Sequence, residues 1–309
     1  EVKNILIVSN SRLDNRNELI KALNLPESKT DCEVLLAGYK KWGEKVVDYL
    51  IGPFSFVVFD KINKYVFAAV DHFAQKPLYF SMSDNQFIFS SDPKAISCLD
   101  LKTYKINQDK VLDYLIFQGC VNNDSFYKKI LKINKGQCIE IKENKLFISE
   151  YYSLPIIKKP LEANYSKEIR KIMTEVVISQ SRSNNMKIST TCSGGLDSTS
   201  IASLLNKEIK HKNIQSFSVH FDNLNENDFK QTDERFYVER FEEKYTAKHK
   251  YIVSRNSPLN YLGEQLSRAY FPPKSGNGYM HQEIIDEMKK KNIRVLFDGF
   301  DGDSVIFSE

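Results

Sequence analysis

Long apolar runs are missing from this 309-residue chain: none approaches the roughly 20 residues that a membrane-spanning helix needs. Cysteine is scarce and poorly spaced for a framework. Cys32, Cys98, Cys120, Cys138 and Cys192 are odd in number, far apart and without Cys-x-x-Cys spacing, which argues against disulfides and a zinc site and for reduced thiols. Charge of one sign is scarce too. A net charge of +4, from lysines scattered along the chain, is too weak to predict a nucleic-acid partner. A Gly-Lys-Ser/Thr phosphate loop and a Gly-x-Gly-x-x-Gly turn are both absent, so neither a γ-phosphate-handling P-loop nor a nicotinamide site is indicated. There are no internal repeats and no low-complexity tract. No secretory signal is visible, and the chain opens at Glu1 without methionine and stops at Glu309, shortly after a loop that looks functional. These features predict a cytoplasmic fragment cut at both ends, long enough for two domains with a core each.

What is present concentrates in residues 187–205. Residues 188–191 are β-prone, Ser193-Gly194-Gly195-Leu196-Asp197-Ser198 reads as a loop, and Ile201, Leu204 and Leu205 recur at helical spacing. Glycine lets backbone approach a ligand, and the helix that follows adds orphan N–H groups and the positive end of its dipole. Ser193 and Ser198 bring hydroxyl donors. Asp197 sets a carboxylate where an anion would bind, which is repulsive beside phosphate unless a divalent cation lies between them, and so implies Mg2+. The plain alternative is a glycine turn with Asp197 as an ordinary first-turn carboxylate. The loop resembles the pyrophosphate-binding loop of enzymes that split ATP between its α- and β-phosphates.

The first third reads β-rich, with strands over residues 5–8, 54–59, 65–70, 78–80 and 87–90 and an amphipathic helix over 31–48. A helix near 109–118 and strands over 137–141 and 146–149 follow. The pattern predicts one domain over 1–152, a linker over 153–165 carrying Pro155 and Pro160, and a second domain over 166–309. In the second, strands 188–191, 216–221, 250–253 and 294–297 alternate with helices 166–181, 199–205, 234–244 and 281–291. Such alternation predicts an α/β fold with a doubly wound parallel sheet, in which ligands bind beyond the carboxyl ends of the strands. The first strand delivers the phosphate loop, the second ends at Val219-His220-Phe221 where adenine could lie, and the fourth delivers Asp298-Gly299-Phe300-Asp301-Gly302-Asp303. Two glycine–carboxylate turns on neighbouring strand ends would set Asp197 and Asp303 around one Mg2+.

These motifs, with residues 10–19, Thr30-Asp31-Cys32-Glu33-Val34, Gly52-Pro53-Phe54-Ser55-Phe56, Asp71-His72-Phe73, Lys76-Pro77-Leu78-Tyr79 and residues 90–95, resemble the glutamine-hydrolysing asparagine synthetase family over nearly the whole chain. The resemblance implies an N-terminal Ntn-hydrolase-like α+β sandwich acting as a glutaminase and a C-terminal ATP-pyrophosphatase domain. It implies an amide-forming ligase that uses ATP and Mg2+: a substrate carboxylate attacks the α-phosphate, pyrophosphate leaves, and an amine attacks the acyl-adenylate. By position, Thr191, Ser193, Gly194, Gly195, Asp197, Ser198, Val219, Asp298 and Gly299 match the nucleotide contacts. Asp197 and Asp303 match the catalytic metal-side carboxylates, Asn10 the glutamine oxyanion-hole residue and Asp31 the holder of the glutamine amine. The implied partners are a small-molecule or peptide carboxylate and an amine donor, either glutamine or an internal amine. No nucleic acid and no membrane are implied, and whether the chain forms a homodimer stays open.

Departures accompany the resemblance. Phe300 stands where the family has a Glu near the acyl-adenylate, and Ser304 replaces the Glu after Asp303. Ser11 replaces a Gly, and Arg12 a Glu that also holds the glutamine amine, so Arg12 would repel an ammonium group. The family's catalytic Cys would precede Glu1 and its lysine near the intermediate would follow Glu309. Lasso-peptide macrolactam cyclases and β-lactam synthetases share the fold and let an internal amine close a ring, and residues 12–16 and 301–304 resemble the cyclases. A non-catalytic nucleotide-binding scaffold is the third reading. His72, His220 and His249 read as strand or strand-end residues, Asp233-Glu234-Arg235 as a helix start, and residues 271–278 as a surface loop or a cover.

Overall fold

Antiparallel strands build the first of two compact units, Glu1–Lys159, and a parallel sheet builds the second, Pro160–Glu309. The computed structural model describes residues 4–83, 86–99, 104–116, 123–155, 165–182, 186–209, 214–222, 234–245, 247–254, 257–268, 278–300 and 302. Several expectations fall outside these residues: Cys120, residues 117–118 of a helix, residues 156–164 of the linker, Asp233, residues 271–277, Asp301 and Asp303.

The first unit runs β1 (Ile5–Ser11), α1 (Arg16–Leu23), α2 (Asp31–Trp42), β2 (Phe54–Asp60), β3 (Tyr65–Val70), β4 (Tyr79–Ser83), β5 (Gln86–Ser90), α3 (Pro93–Ser97), α4 (Gln108–Leu115), β6 (Leu131–Lys132), β7 (Gln137–Lys142) and β8 (Lys145–Glu150). An antiparallel sheet in the order β1-β2-β3-β7-β8 lies with a smaller one in the order β5-β4-β6. The two-residue side-chain period separates the faces. On β3, Phe67 and Ala69 join Leu19, Ile20, Val34 and Leu35 of α1 and α2, while Ala68 and Val70 join Leu78, Phe80 and Ile133 beside the smaller sheet. Helices, large sheet and small sheet thus form the expected layered α+β sandwich.

Local chemistry fixes the connections. Thr30 Oγ1 accepts the Glu33 N–H at 3.3 Å and Glu33 accepts the Thr30 N–H at 2.8 Å, a capping box that starts α2. The helix expected over 31–48 ends earlier, because Gly43 at φ +62° breaks it and Gly43–Tyr49 continues as a 3-10 turn. Val46 still reaches the same core. Buried Asp71 accepts four backbone N–H groups, from Phe54 (3.1 Å), Phe73 (3.0 Å), Gln75 (3.1 Å) and Lys76 (3.1 Å), and so ties the loop after β3 to the start of β2. His72, beside it, meets Tyr152 edge-on at 4.4 Å and Tyr151 at 5.7 Å, a packing role that matches its reading as a strand-end residue.

The second unit runs α5 (Tyr165–Gln180), β9 (Ile188–Thr191), α6 (Leu196–Glu208), β10 (Gln215–His220), α7 (Arg235–Tyr245), β11 (Lys248–Val253), α8 (Pro258–Arg268), α9 (Gly278–Lys290) and β12 (Val295–Phe297). Its sheet has the order β11-β10-β9-β12 and every pairing is parallel. Strands β10 and β11 lie on one side of β9 and β12 on the other, so the order reverses between β9 and β12. That is where an open α/β sheet forms a ligand crevice. Among the described residues no helix is long and apolar enough to cross a membrane.

His249 on β11 is held on both sides: Ser216 Oγ lies 2.8 Å from Nδ1 and Ser218 Oγ 2.9 Å from Nε2. Burial pulls its pKa from 6.5 down to about 4. Below pH 6.5 the unfolded chain takes up a proton that the folded chain refuses until about pH 4, so stability should fall across that window as pH drops, by at most about 3 kcal/mol. Denaturant unfolding between pH 7 and pH 4 should show this slope, and His249→Gln should flatten it. Asp71→Ala, which takes the acceptor from one buried and three part-buried backbone donors, should cost about 3 kcal/mol in the same assay at pH 7.

Candidate functional site

Parallel pairing puts the carboxyl ends of β9, β10 and β12 on one edge of the second unit, and two turns meet there. The first follows β9. Gly194 holds φ +101°, open to glycine and strained for other residues, and a Cβ on it would lie 2.6 Å from both Cβ and the carbonyl oxygen of Glu234. The loop therefore lies directly against the residue that precedes α7. Its serines are engaged within it. Ser198 Oγ accepts the Ser193 N–H at 3.1 Å and sits 2.9 Å from Ser193 Oγ, which accepts the Gly195 N–H at 3.3 Å. The Ser193 and Gly195 amides are thus engaged within the loop. The amides of Leu196, Asp197 and Ser198, in the first turn of α6, are the ones a helix leaves without intrahelical partners.

The second turn follows β12 and lies on the first. A Cβ on Gly299 would fall 2.6 Å from the Ser198 nitrogen, and one on Gly302 would fall 2.4 Å from Asp197 Cγ and Oδ2. Residues about a hundred positions apart in sequence thus touch backbone to side chain. Asp298 shapes the turn by accepting the Phe300 N–H at 2.6 Å, and its other carboxylate oxygen lies 3.6 Å from His281 Nδ1 on α9. Thr191 ends β9 opposite Phe217. Val219 lies one residue before the end of β10 and packs partly against Phe217, Ile284 and Met288. Asp197, Ser198, Gly299 and Gly302 are therefore brought together, with Ser193, Gly194 and Gly195 in the same loop. Asp303 lies outside the described residues. His281 is a neighbour of the site that the sequence pattern did not single out for it, and Glu234, in a helix start for which the family resemblance leaves a role near the nucleotide open, is another.

Cys192, just before the loop, is fully buried and burial pushes its thiol pKa up, as suits a small core residue. Among the described residues no group of three or more His, Cys, Asp and Glu side chains could hold a metal. Mg2+ asks for less, since it commonly takes one or two carboxylates and completes its shell with phosphate oxygens and water. The contact of Gly302 with Asp197 brings the residue next to Asp303 onto a carboxylate, which fits that kind of site.

In the first unit Asn10 lies exposed on β1, paired with Ser55 of β2. Asp31, at the start of α2, accepts the Leu13 N–H at 3.0 Å through Oδ2 and Arg16 Nη1 at 2.7 Å through Oδ1. Arg16 is itself buried, and its Nη2 donates to the carbonyls of Glu27 (2.9 Å) and Lys29. Asp31 thus holds a resident guanidinium. Arg12 Nε donates to Asp14 Oδ1 at 3.3 Å.

The chain is thus a two-domain protein, a layered α+β unit followed by an α/β unit whose doubly wound parallel sheet carries a serine–glycine loop at its switch point. Residues 1–152 match the glutamine amidotransferase domain family and residues 168–307 the asparagine synthase family. The two matches together account for nearly the whole chain, the first to a glutamine amidotransferase domain and the second to asparagine synthase. A Methanocaldococcus jannaschii protein assigned provisionally as glutamine-hydrolysing asparagine synthetase 2 is 28% identical over 307 residues, with 97% of this chain and 58% of that protein covered. Glutamine-hydrolysing asparagine synthetase 3 of Bacillus subtilis is 27% identical over 274 residues, with 84% and 44% covered. The chain spans about half the length of these relatives.

Gly302→Ala forces a methyl group onto the Asp197 carboxyl. It should destabilise the second unit in denaturant unfolding, because relieving such an overlap costs about 1–3 kcal/mol.

Proposed function

We propose that the protein is an ATP-dependent amide-forming ligase of the asparagine synthetase kind. It would adenylate a carboxylate, aspartate in the first instance, release AMP and pyrophosphate, and transfer the acyl group to an amine. The observation that carries this reading is the meeting of the two turns, Gly302 against Asp197 and Gly299 against the Ser198 amide, at the switch point of a parallel sheet.

Each part has a physical task. The first-turn amides of α6 point their dipoles at anionic oxygens and would bind the phosphates before and during cleavage. The hydroxyls of Ser193 and Ser198, tied to each other at 2.9 Å, keep the loop in one shape, so little reorganisation accompanies the charge that builds on the leaving pyrophosphate. Asp197 and Asp303 would hold Mg2+, which when bound supplies neutralising charge between those carboxylates and the phosphates. Val219, near the end of β10, lies where backbone could pair with adenine. Asn10 and Asp31 remain the candidates for glutamine in the first unit.

A second reading, a macrolactam-type cyclase whose first domain does not hydrolyse glutamine, is favoured by one contact. Arg16 already occupies Asp31, the residue assigned to the glutamine amine.

Exchange of labelled pyrophosphate into ATP, dependent on L-aspartate, tests the ligase reading on the full-length protein. Asp197→Ala should abolish the exchange, at least about a hundredfold. A wild-type protein without exchange, or an Asp197→Ala protein that keeps it, defeats this assignment. Glutamate release from glutamine then separates the glutamine-using reading from the cyclase reading.

A further inference from the structure

Amide formation leaves a proton on the attacking nitrogen, and something has to take it. The second turn offers no carboxylate at the position of Phe300, whose apolar ring is 71% exposed. An imidazole lies beside it instead. His281, in the first turn of α9, meets the Phe300 ring edge-on at 5.9 Å and presents Nδ1 to Asp298 Oδ2 at 3.6 Å. The other Asp298 oxygen is fixed by the Phe300 N–H, so one carboxylate orients both the turn and the ring. With Nδ1 turned to Asp298, Nε2 lies on the opposite edge of the imidazole. The side chain is 42% exposed, so a ligand can reach it. His220, the other imidazole at these strand ends, is built differently: its Nδ1 is buried without a hydrogen-bond partner and its ring packs edge-on against Tyr251. An incoming amine cannot meet that nitrogen.

We propose that His281 is the general base of the acyl-transfer step, oriented by Asp298 and standing in for the ionic residue that Phe300 displaces. The inference rests on the ligase reading above. The amine nitrogen bonds to the acyl carbon, and the bond from that carbon to the AMP oxygen breaks. The proton of the amine passes to His281 Nε2, and the electron pair leaves with AMP. Adenylation itself releases no proton to a base and does not call on His281.

The test uses the full-length protein with ATP, L-aspartate and ammonium chloride, and compares wild type, His281→Ala and His281→Gln. Both variants should melt with the wild type, because the side chain is largely at the surface. Asparagine formation should fall about a hundredfold or more in both, the usual worth of a positioned base, while pyrophosphate exchange falls far less. Added imidazole should restore part of the synthesis in His281→Ala. Synthesis at the wild-type rate, a parallel loss of exchange and synthesis, or no response to imidazole overturns the role of His281. Absence of aspartate-dependent exchange in the wild type instead overturns the ligase reading and takes this inference with it.

Discussion

Backbone has to come closer to other atoms than any side chain allows at three points before the ligand end of the parallel sheet can exist. Gly194 lies on Glu234, Gly299 on the Ser198 amide and Gly302 on the Asp197 carboxyl, each at a separation that would put a Cβ within about 2.6 Å of its neighbour. These contacts join the loop after β9 to the start of α7 and to the turn after β12. The constraint is steric, and it acts only because β9 and β12 are sheet neighbours.

That dependence orders the rest of the unit. Parallel pairing requires crossover helices, the helices need buried faces, and the cores of Val177, Ile188 and Leu205, or of Phe217, Ile284 and Met288, supply them. Buried apolar side chains therefore set the positions of turns whose own residues are polar or glycine. The energy resides in the core and the chemistry in the turns, so substitutions at the two places should report on different quantities.

The turns after β9 and β12 were legible in the sequence as turns because each places glycine and carboxylate after a short apolar strand. Strand β3 was legible to the residue because Tyr65–Val70 is an unbroken apolar run between turn residues, buried on both faces. Other features needed tertiary partners. Asp71 looked like any acid at a strand end, and only folding brings four amides to it. Helix α8 was missed although Leu259, Leu262 and Leu266 recur at helical spacing, and all three are left exposed. The end of α2 was overrun because Val46 keeps the apolar phase past Gly43, and periodicity cannot see a positive φ. His281 was read only as helix, because its nearness to Asp298 comes from the packing of α9 beside β12.

The two units differ in how finished their candidate sites are. In the second, polar groups converge on a place with first-turn amides still to be satisfied. In the first, the acid assigned to an ammonium group has a cation already: Arg16 reaches Asp31 at 2.7 Å and is anchored by two backbone carbonyls. Removing one member of a buried ion pair costs about 3–5 kcal/mol, because the other is left charged and poorly solvated. An incoming glutamine would have to displace Arg16 from Asp31 and then recover that cost through a single ammonium contact, or bind elsewhere along the acid. An amine that never enters the first unit faces no such exchange. Within the proposed ligase reading, the electrostatics of Arg16 and Asp31 therefore weigh toward nitrogen that does not pass through the first unit.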